Sequence, residues 1–127
     1  MKYLLLIYQN EAEMGGRDQA AMKAIHDEYK SFTESIIKSG QFKGGDALER
    51  TQTATTVRVR SGKTLTTDGP FAETREQLGG YYMIEAKNLD EAIKVAARVP
   101  SAKFGSIEIR PIRVLADMPD WAKAANG

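Results

Sequence analysis

The sequence predicts an α+β fold of the ferredoxin-like type, with helices on one face of an antiparallel sheet. Strand-like and helical segments follow one another in the order strand, helix, strands, strand, helix, strand, as two helix-crossing units over one sheet require. The 127 residues suit one domain with a modest core. An apolar share of 42% and a charged share of 28% are ordinary for a soluble globular protein.

The first strand and the first helix follow from hydrophobic periodicity. Lys2–Tyr8 is a nearly unbroken apolar run, which predicts a central strand buried on both faces. Gln9–Arg17 is predicted as a loop. Asp18 then caps a helix that ends at Gly40. The apolar residues of this helix recur at spacings of three and four and predict one face packed on the sheet: Met22, Ile25, Tyr29, Phe32 and Ile36.

The middle of the chain predicts short strands joined by turns. The pair Gly44-Gly45 lies in a short, irregular strand entry and indicates a bulge or a close backbone approach. Ala54–Arg60 alternates between apolar and polar residues, Ser61-Gly62 suits a two-residue hairpin turn, and Lys63–Thr67 is the returning strand.

The last third predicts a strand, a helix and a final strand. Gly80–Ala86 is the strand, and Asn88 caps the helix, which Pro100 ends. Ser106–Val114 forms the final strand, and its Pro111 indicates an edge or a bulge because proline cannot donate to a ladder. The whole chain, 1–127, is expected to be a single domain.

One face of the predicted sheet lacks a helical cover. We expect a second copy of the chain to cover it, giving a homodimer of the dimeric α+β barrel type. The residues expected at this contact are Leu5, Tyr82, Ile84 and Ile112. Residues 115–127 are predicted as a short tail, in which Met118, Pro119 and Trp121 could clamp onto a surface or a partner.

Composition argues against several classes of function. The net charge of +1 gives no reason to expect nucleic acid or an anionic membrane as a partner. The chain has no cysteine and one histidine, so we expect neither a disulfide nor a metal site, and no cofactor fingerprint is present. No run has the length of a signal segment or a spanning helix, which predicts a cytoplasmic protein.

The stretch from Asp68 to Gly80 holds most of the candidate site residues. Asp68 begins an Asp-Gly-Pro turn, where its carboxylate is either a turn former or a general base. Phe71, Glu73 and Arg75 follow, and Arg75 could clamp an anionic ligand. The alternative is a solvated loop with weakly paired charges. Gly80 ends the stretch and permits close approach of a ligand or a strand.

His26 is the only histidine and lies at the boundary of the apolar stripe of the first helix. Its side chain is the only one whose ordinary pKa lies near neutrality, so it is a candidate proton carrier together with Asp68. The alternative is a half-exposed surface residue. Periodicity alone does not bring the two side chains together.

Four segments of the chain carry a family resemblance: KYLLLIY, TTVRVRSGKTLTTDGPFAETREQLGGYYMIEA, LDEAIKVAAR and GSIEIRP. Through them the chain resembles the DGPF-domain, YCII-related proteins of bacteria, from Lys2 to about Val114. The resemblance implies the ferredoxin-like fold, a homodimer and a cytoplasmic location. It also implies an association of some relatives with extracytoplasmic-function sigma factors, and a His–Asp active-site pair in more distant YCII-like relatives.

Two classes of function remain open. One is a non-catalytic homodimer that binds a small polar or anionic ligand or a protein partner, with a link to sigma-factor regulation. The other is a small enzyme that performs acid–base chemistry on a polar metabolite in a pocket under the Asp68–Glu76 loop.

Overall fold

The computed structural model describes residues 1–116 of the 127, so the expected contacts of Met118, Pro119 and Trp121 lie outside the described residues. The helices and strands are β1 (Lys2–Gln9), α1 (Glu11–Gly15), α2 (Gln19–Lys38), β2 (Phe42–Ala47), β3 (Thr55–Arg60), β4 (Lys63–Asp68), β5 (Gln77–Glu85), α3 (Leu89–Ala97) and β6 (Ser106–Pro111). Short 3-10 helices occupy Thr51–Thr53 and Pro100–Lys103.

The main sheet has the strand order β2-β5-β1-β6, and every neighbouring pair is antiparallel. This arrangement confirms the predicted ferredoxin-like α+β fold and the central place of β1. Pro111 ends β6 on the outer strand of the sheet, as its missing N–H group requires. The sheet of the protomer is open and does not close into a barrel.

Both long helices of the described residues pack on the same face of this sheet. Phe32 and Ile36 of α2 and Val95 of α3 are buried in one cluster with residues of β1 and β5. The strand residues in this cluster alternate along the chain, as a face buried against helices requires: Tyr3, Leu5, Ile7, Tyr82 and Ile84.

This alternation shows that the sequence prediction assigned the wrong strand residues to the uncovered face of the sheet. Leu5, Tyr82 and Ile84 are at most 8% exposed within a single protomer, so they belong to the helix-packed core and not to the uncovered face. Ile112 follows β6, and its N–H donates to the carbonyl of Lys2 at 3.0 Å. The uncovered face instead carries the intervening residues of β1 and β5, because side chains alternate across a strand: Leu4, Leu6, Tyr8, Tyr81 and Met83.

The ends of α2 agree with the sequence prediction. The Asp18 carboxylate accepts the N–H of Ala21 at 2.7 Å, which caps the first turn. At the other end, Gly40 has φ of 79°, a left-handed conformation that stops the helix at low steric cost. The segment before α2 differs from the prediction. A loop was expected there, but Asn10 caps the short helix α1.

The hairpin of β3 and β4 stands apart from the main sheet as a separate two-stranded sheet. Its turn is the predicted Ser61-Gly62, with φ of 51° and 74° at the two residues. Val57, Val59 and Leu65 remain 49–59% exposed, so the hairpin contributes little to the core.

The glycine pair Gly79-Gly80 lies within β5, although the sequence prediction placed the start of this strand at Gly80. Ile7 pairs with Gly80 and Tyr8 pairs with Leu78, so Gly79 is the extra residue of a β-bulge. A second irregularity in the ladder lies between Phe42 and Gly44. This position agrees with the bulge that Gly44-Gly45 indicated.

Candidate functional site

A cleft of about 610 Å³ opens between α2 and the part of the sheet formed by β2, β5 and the end of β1. Its volume lies in the range of roughly 300–1,000 Å³ that is usual for small-molecule sites. Most of its walls are apolar and include Ile7, Met14, Met22, Ile25, Tyr29 and Phe42. Its polar residues include Gln9, His26, Lys30, Glu34, Asp46 and Tyr81.

The cleft exists because only the second half of α2 packs tightly on the sheet. Phe32 and Ile36 are buried, whereas Met22, from the same apolar stripe, is 40% exposed. Ile25 and Tyr29 are half-buried and line the cleft. The first half of the stripe therefore forms a wall of the cleft, where the sequence predicted a continuous contact with the sheet.

Glycines form the floor opposite this half of α2. A Cβ atom on Gly80 would lie 3.0 Å from the carbonyl oxygen of Asp46 on the neighbouring strand. A Cβ atom on Gly45 would lie 2.9 Å from both the Tyr81 carbonyl oxygen and the Tyr82 ring. The distances at Gly45 are too short for any side chain, so this position requires glycine. At Gly80 a Cβ atom would fit only if the neighbouring strand moved by a few tenths of an ångström. The bare backbone at these positions leaves the space that the cleft occupies.

A chain of hydrogen bonds supports the wall at the Gln9 end. Ser101 is fully buried, and its hydroxyl donates to Oε1 of Gln9 at 3.0 Å. Because that hydroxyl has one proton, the Tyr29 O–H donates to Ser101 Oγ, at 2.5 Å. Burial raises the pKa of Tyr29, more than the bond to Ser101 lowers it, so the phenol stays protonated as a donor.

The mouth of the cleft carries charges of both signs. Lys30 and Glu34 supply these charges from α2, beside His26. Tyr81 borders the cleft from β5, but its side chain lies on the uncovered face of the sheet. There its hydroxyl donates to the Asp46 carboxylate at 2.7 Å, which raises the pKa of Tyr81. Within residues 1–116, no three His, Cys, Asp or Glu side chains are grouped in a way that could hold a metal ion.

The structure brings two of the six predicted site residues into this cleft. His26 lies in the wall formed by α2, and Gly80 lies in the floor. The other four lie elsewhere, on or after β4: Asp68, Phe71, Glu73 and Arg75. No hydrogen bond or ion pair joins His26 to Asp68 in the described part of the chain. Their proposed proton-handling pair therefore stays a prediction.

The other predicted residues lie at the end of β4 and on the exposed segment that follows it. Asp68 pairs with Thr55 at the end of the hairpin, and Phe71 is 79% exposed. Glu73 and Arg75 are also exposed. The loop is attached at its far end, where Asn10 Nδ2 donates to the Arg75 carbonyl at 3.2 Å.

The sequence prediction did not select Gln9, Tyr29, Lys30 or Asp46 as site residues. Tyr29 was assigned to the core because it follows the apolar spacing of α2. Gln9 carried no motif, and its position at the end of β1 becomes informative only once Ser101 is placed beside it. The double glycines were the available signal, because two such pairs on neighbouring strands remove side chains from one region of the sheet.

The fold and the cleft together define a class: a small ferredoxin-like α+β protein with a cleft between its longest helix and the sheet. A family model described as the YCII-related domain matches residues 1–122. The chain is also 32% identical over 114 residues to the uncharacterized protein R00369 of Rhizobium meliloti (strain 1021), across 88% of this chain and 92% of that relative. The chain therefore belongs to the YCII-related family.

Within residues 1–116, no helix is both long enough and apolar enough to cross a bilayer.

Proposed function

We propose that this YCII-related protein is a homodimeric module that binds a small ligand in the cleft between α2 and the sheet, without catalysing a reaction on it. The observation that carries the proposal is the cleft itself, which combines apolar walls, a glycine floor and a few polar groups. Ligand sites commonly have this composition, with apolar surface for affinity and sparse polar groups for orientation.

The side chains around the cleft favour binding over turnover. Of the two proton-handling candidates, His26 is at the mouth and Asp68 is on the exposed hairpin. General acid–base catalysis requires both groups within hydrogen-bond reach of the reacting atoms. The enzyme reading therefore depends on a rearrangement of the Asp68–Glu76 loop, whereas ligand binding needs none.

A homodimer is supported by the uncovered face of the sheet. Leu4, Leu6 and Met83 are only partly buried within one protomer, although they lie in the central strands. A second copy would remove this apolar surface from water, which favours association.

A ligand-binding dimer is also compatible with the sigma-factor link that the family resemblance implies. Co-purification with an extracytoplasmic-function sigma factor would test that link.

Probe binding followed by NMR tests the ligand site. Phenylacetate, phenylacetamide and phenethylamine share a small aromatic body and differ in their polar end. At least one of them should shift the backbone amide signals of Gly79, Gly80 and Tyr81 in a saturable way, because these residues border the cleft. Met22→Trp should weaken binding about ten-fold or more, because the indole would occupy space in the cleft.

Ile37→Trp is the matched control. Ile37 is also an exposed apolar residue of α2, at 55% exposure, but it does not border the cleft. This variant should bind the probes as the wild type does. Binding that is equal in both tryptophan variants would place the probes elsewhere, and the absence of saturable shifts with all three probes would overturn the proposed function.

A further inference from the structure

We propose that the cleft selects ligands that end in a carbonyl or carboxylate oxygen, and that the Gln9 side-chain amide donates the selecting hydrogen bond. This inference rests on the proposed function, because it assigns a ligand class to the same cleft. It follows from the direction of the hydrogen bonds behind the cleft wall.

In the structure, the Gln9 amide has its Oε1 atom toward the buried Ser101 hydroxyl, at 3.0 Å. Tyr29 O–H donates to Ser101 Oγ, and the Ser101 hydroxyl donates onward to Gln9 Oε1. The carbonyl side of the amide is thus occupied by a fully buried donor. The Nε2 side, which has two protons, is the side left for the cleft.

The Nε2 group has room and no protein acceptor. A Cβ atom on Gly79 would lie 3.2 Å from Gln9 Nε2, so the absence of a side chain at this bulge makes space for the amide. Among the hydrogen bonds of residues 1–116, the Gln9 side chain takes part only as an acceptor, through Oε1. A polar donor beside an apolar cavity favours a ligand atom that can accept a hydrogen bond.

The remaining walls define the body of the ligand. Met14, Met22 and Ile25 present flexible or branched apolar surface, and Tyr29 and Phe42 present rings. Methionine side chains adapt to different shapes, so an aromatic or branched aliphatic body fits. The charged residues at the mouth include both bases and acids, so their field does not by itself select a cationic or anionic end.

The three probes described above separate the polar end from the body. Phenylacetate and phenylacetamide each offer an acceptor oxygen, whereas phenethylamine has only donors at its end. The wild type should bind the first two about ten-fold more tightly than the amine, since a matched hydrogen bond replaces an unpaired group. Phenylacetamide is the decisive comparison, because it is neutral, so a preference for it over the amine cannot come from a negative charge on the ligand.

Two substitutions at Gln9 test the assignment directly. In Gln9→Glu, one carboxylate oxygen can still accept from Ser101, and the other places an acceptor in the cleft. The preference should therefore reverse, with phenethylamine bound most tightly. Gln9→Met has a similar volume and no amide, and it should bind phenylacetamide and phenethylamine with nearly equal affinity.

Ser101→Ala tests the positioning role of the buried hydroxyl. Without it the Gln9 amide can turn over and present either its oxygen or its nitrogen to the cleft. The ratio of the amide and amine affinities should then fall toward one. If Ser101 had only a structural role, Ser101→Ala would change the stability of the protein and leave the ratio of the two affinities unchanged.

The outcomes separate this inference from the proposed function. If the probes bind in the cleft but show no preference for an acceptor end, or prefer the amine in the wild type, the inference is overturned while ligand binding stands. If Gln9→Glu retains the wild-type preference, Gln9 is not the selecting group. If no probe binds in the cleft, the proposed function fails and the inference fails with it.

Discussion

Tyr29 connects the cleft to the core through a single hydroxyl. Its ring lines the cleft and its O–H reaches the buried Ser101. Burial raises the pKa of this phenol because a phenolate would lose its hydration in the protein. The protonation state of one residue therefore affects both the cleft wall and the stability of the fold.

The raised pKa of Tyr29 predicts a loss of stability in alkali. The unfolded chain releases the phenolic proton near pH 10, before the folded chain does. The stabilisation from Tyr29 is thus complete below about pH 10 and is lost as the pH rises through the higher pKa of the folded state. Urea unfolding on both sides of this pH should show a smaller alkaline decrease in the free energy of unfolding for Tyr29→Phe than for the wild type.

Burial raises the pKa of Tyr82 as well. The double variant Tyr29→Phe/Tyr82→Phe should therefore reduce the alkaline decrease further. An alkaline decrease that is unchanged in Tyr29→Phe would contradict the prediction, and absorbance titration of the tyrosines would show the late-titrating group directly.

At the scale of elements, α2 is positioned by its caps as well as by its packed half. Its first turns border the cleft and bury few residues, so they depend more on local interactions than the later turns do. Asp18 supplies the acceptor that the unpaired N–H groups of a helix start require. The geometry of the cleft therefore depends on a residue outside it.

Asp18→Ala should destabilise the protein by about 1 kcal/mol, because the Ala21 N–H loses its acceptor. Asp27→Ala is the matched control on the same helix, since the carboxylate of Asp27 pairs with Lys23 on the exposed surface, at 2.9 Å, and with no other group of residues 1–116. Chemical denaturation should show a much smaller change for the control. Equal decreases in the free energy of unfolding in the two variants would show that the Asp18 cap stabilises the protein no more than the exposed ion pair does.

At the scale of the whole molecule, the two faces of the sheet differ in what covers them. One face is buried by α2 and α3. On the other face, Leu6 lies between Tyr81 of β5 and Glu108 of β6. Isologous association of two such faces would pair identical surfaces around a two-fold axis.

Leu6→Lys should convert the proposed dimer to a monomer, because the contact would then bring two lysines into an apolar interface. Sedimentation velocity measures the outcome. Ile93→Lys is the control, because Ile93 on α3 is also an apolar residue, 48% exposed, on the helical side. A wild-type protein that sediments as a monomer, or a Leu6→Lys variant that remains a dimer, would contradict the proposed assembly.

Local features of this protein were predictable from the sequence because their causes are local. The cap at Asp18, the glycine stop at Gly40 and the turn at Ser61-Gly62 depend on residues within a few positions of each other. The strand and helix order, and with it the α+β fold, followed from the same short-range patterns. The segment Gln9–Arg17 was missed as a helix because α1 has a single turn and buries no residue.

The faces of the sheet and the location of the cleft were decided only by the tertiary structure. Leu4, Leu5 and Leu6 are identical in chemistry, so the period-two pattern could not show which of them faces the helices. The cleft joins the first half of α2 to glycines on β2 and β5, and its Gln9 wall depends on Ser101, far along the chain. Such contacts between distant segments form when the helices pack on the sheet, and periodicity within one segment contains no information about them.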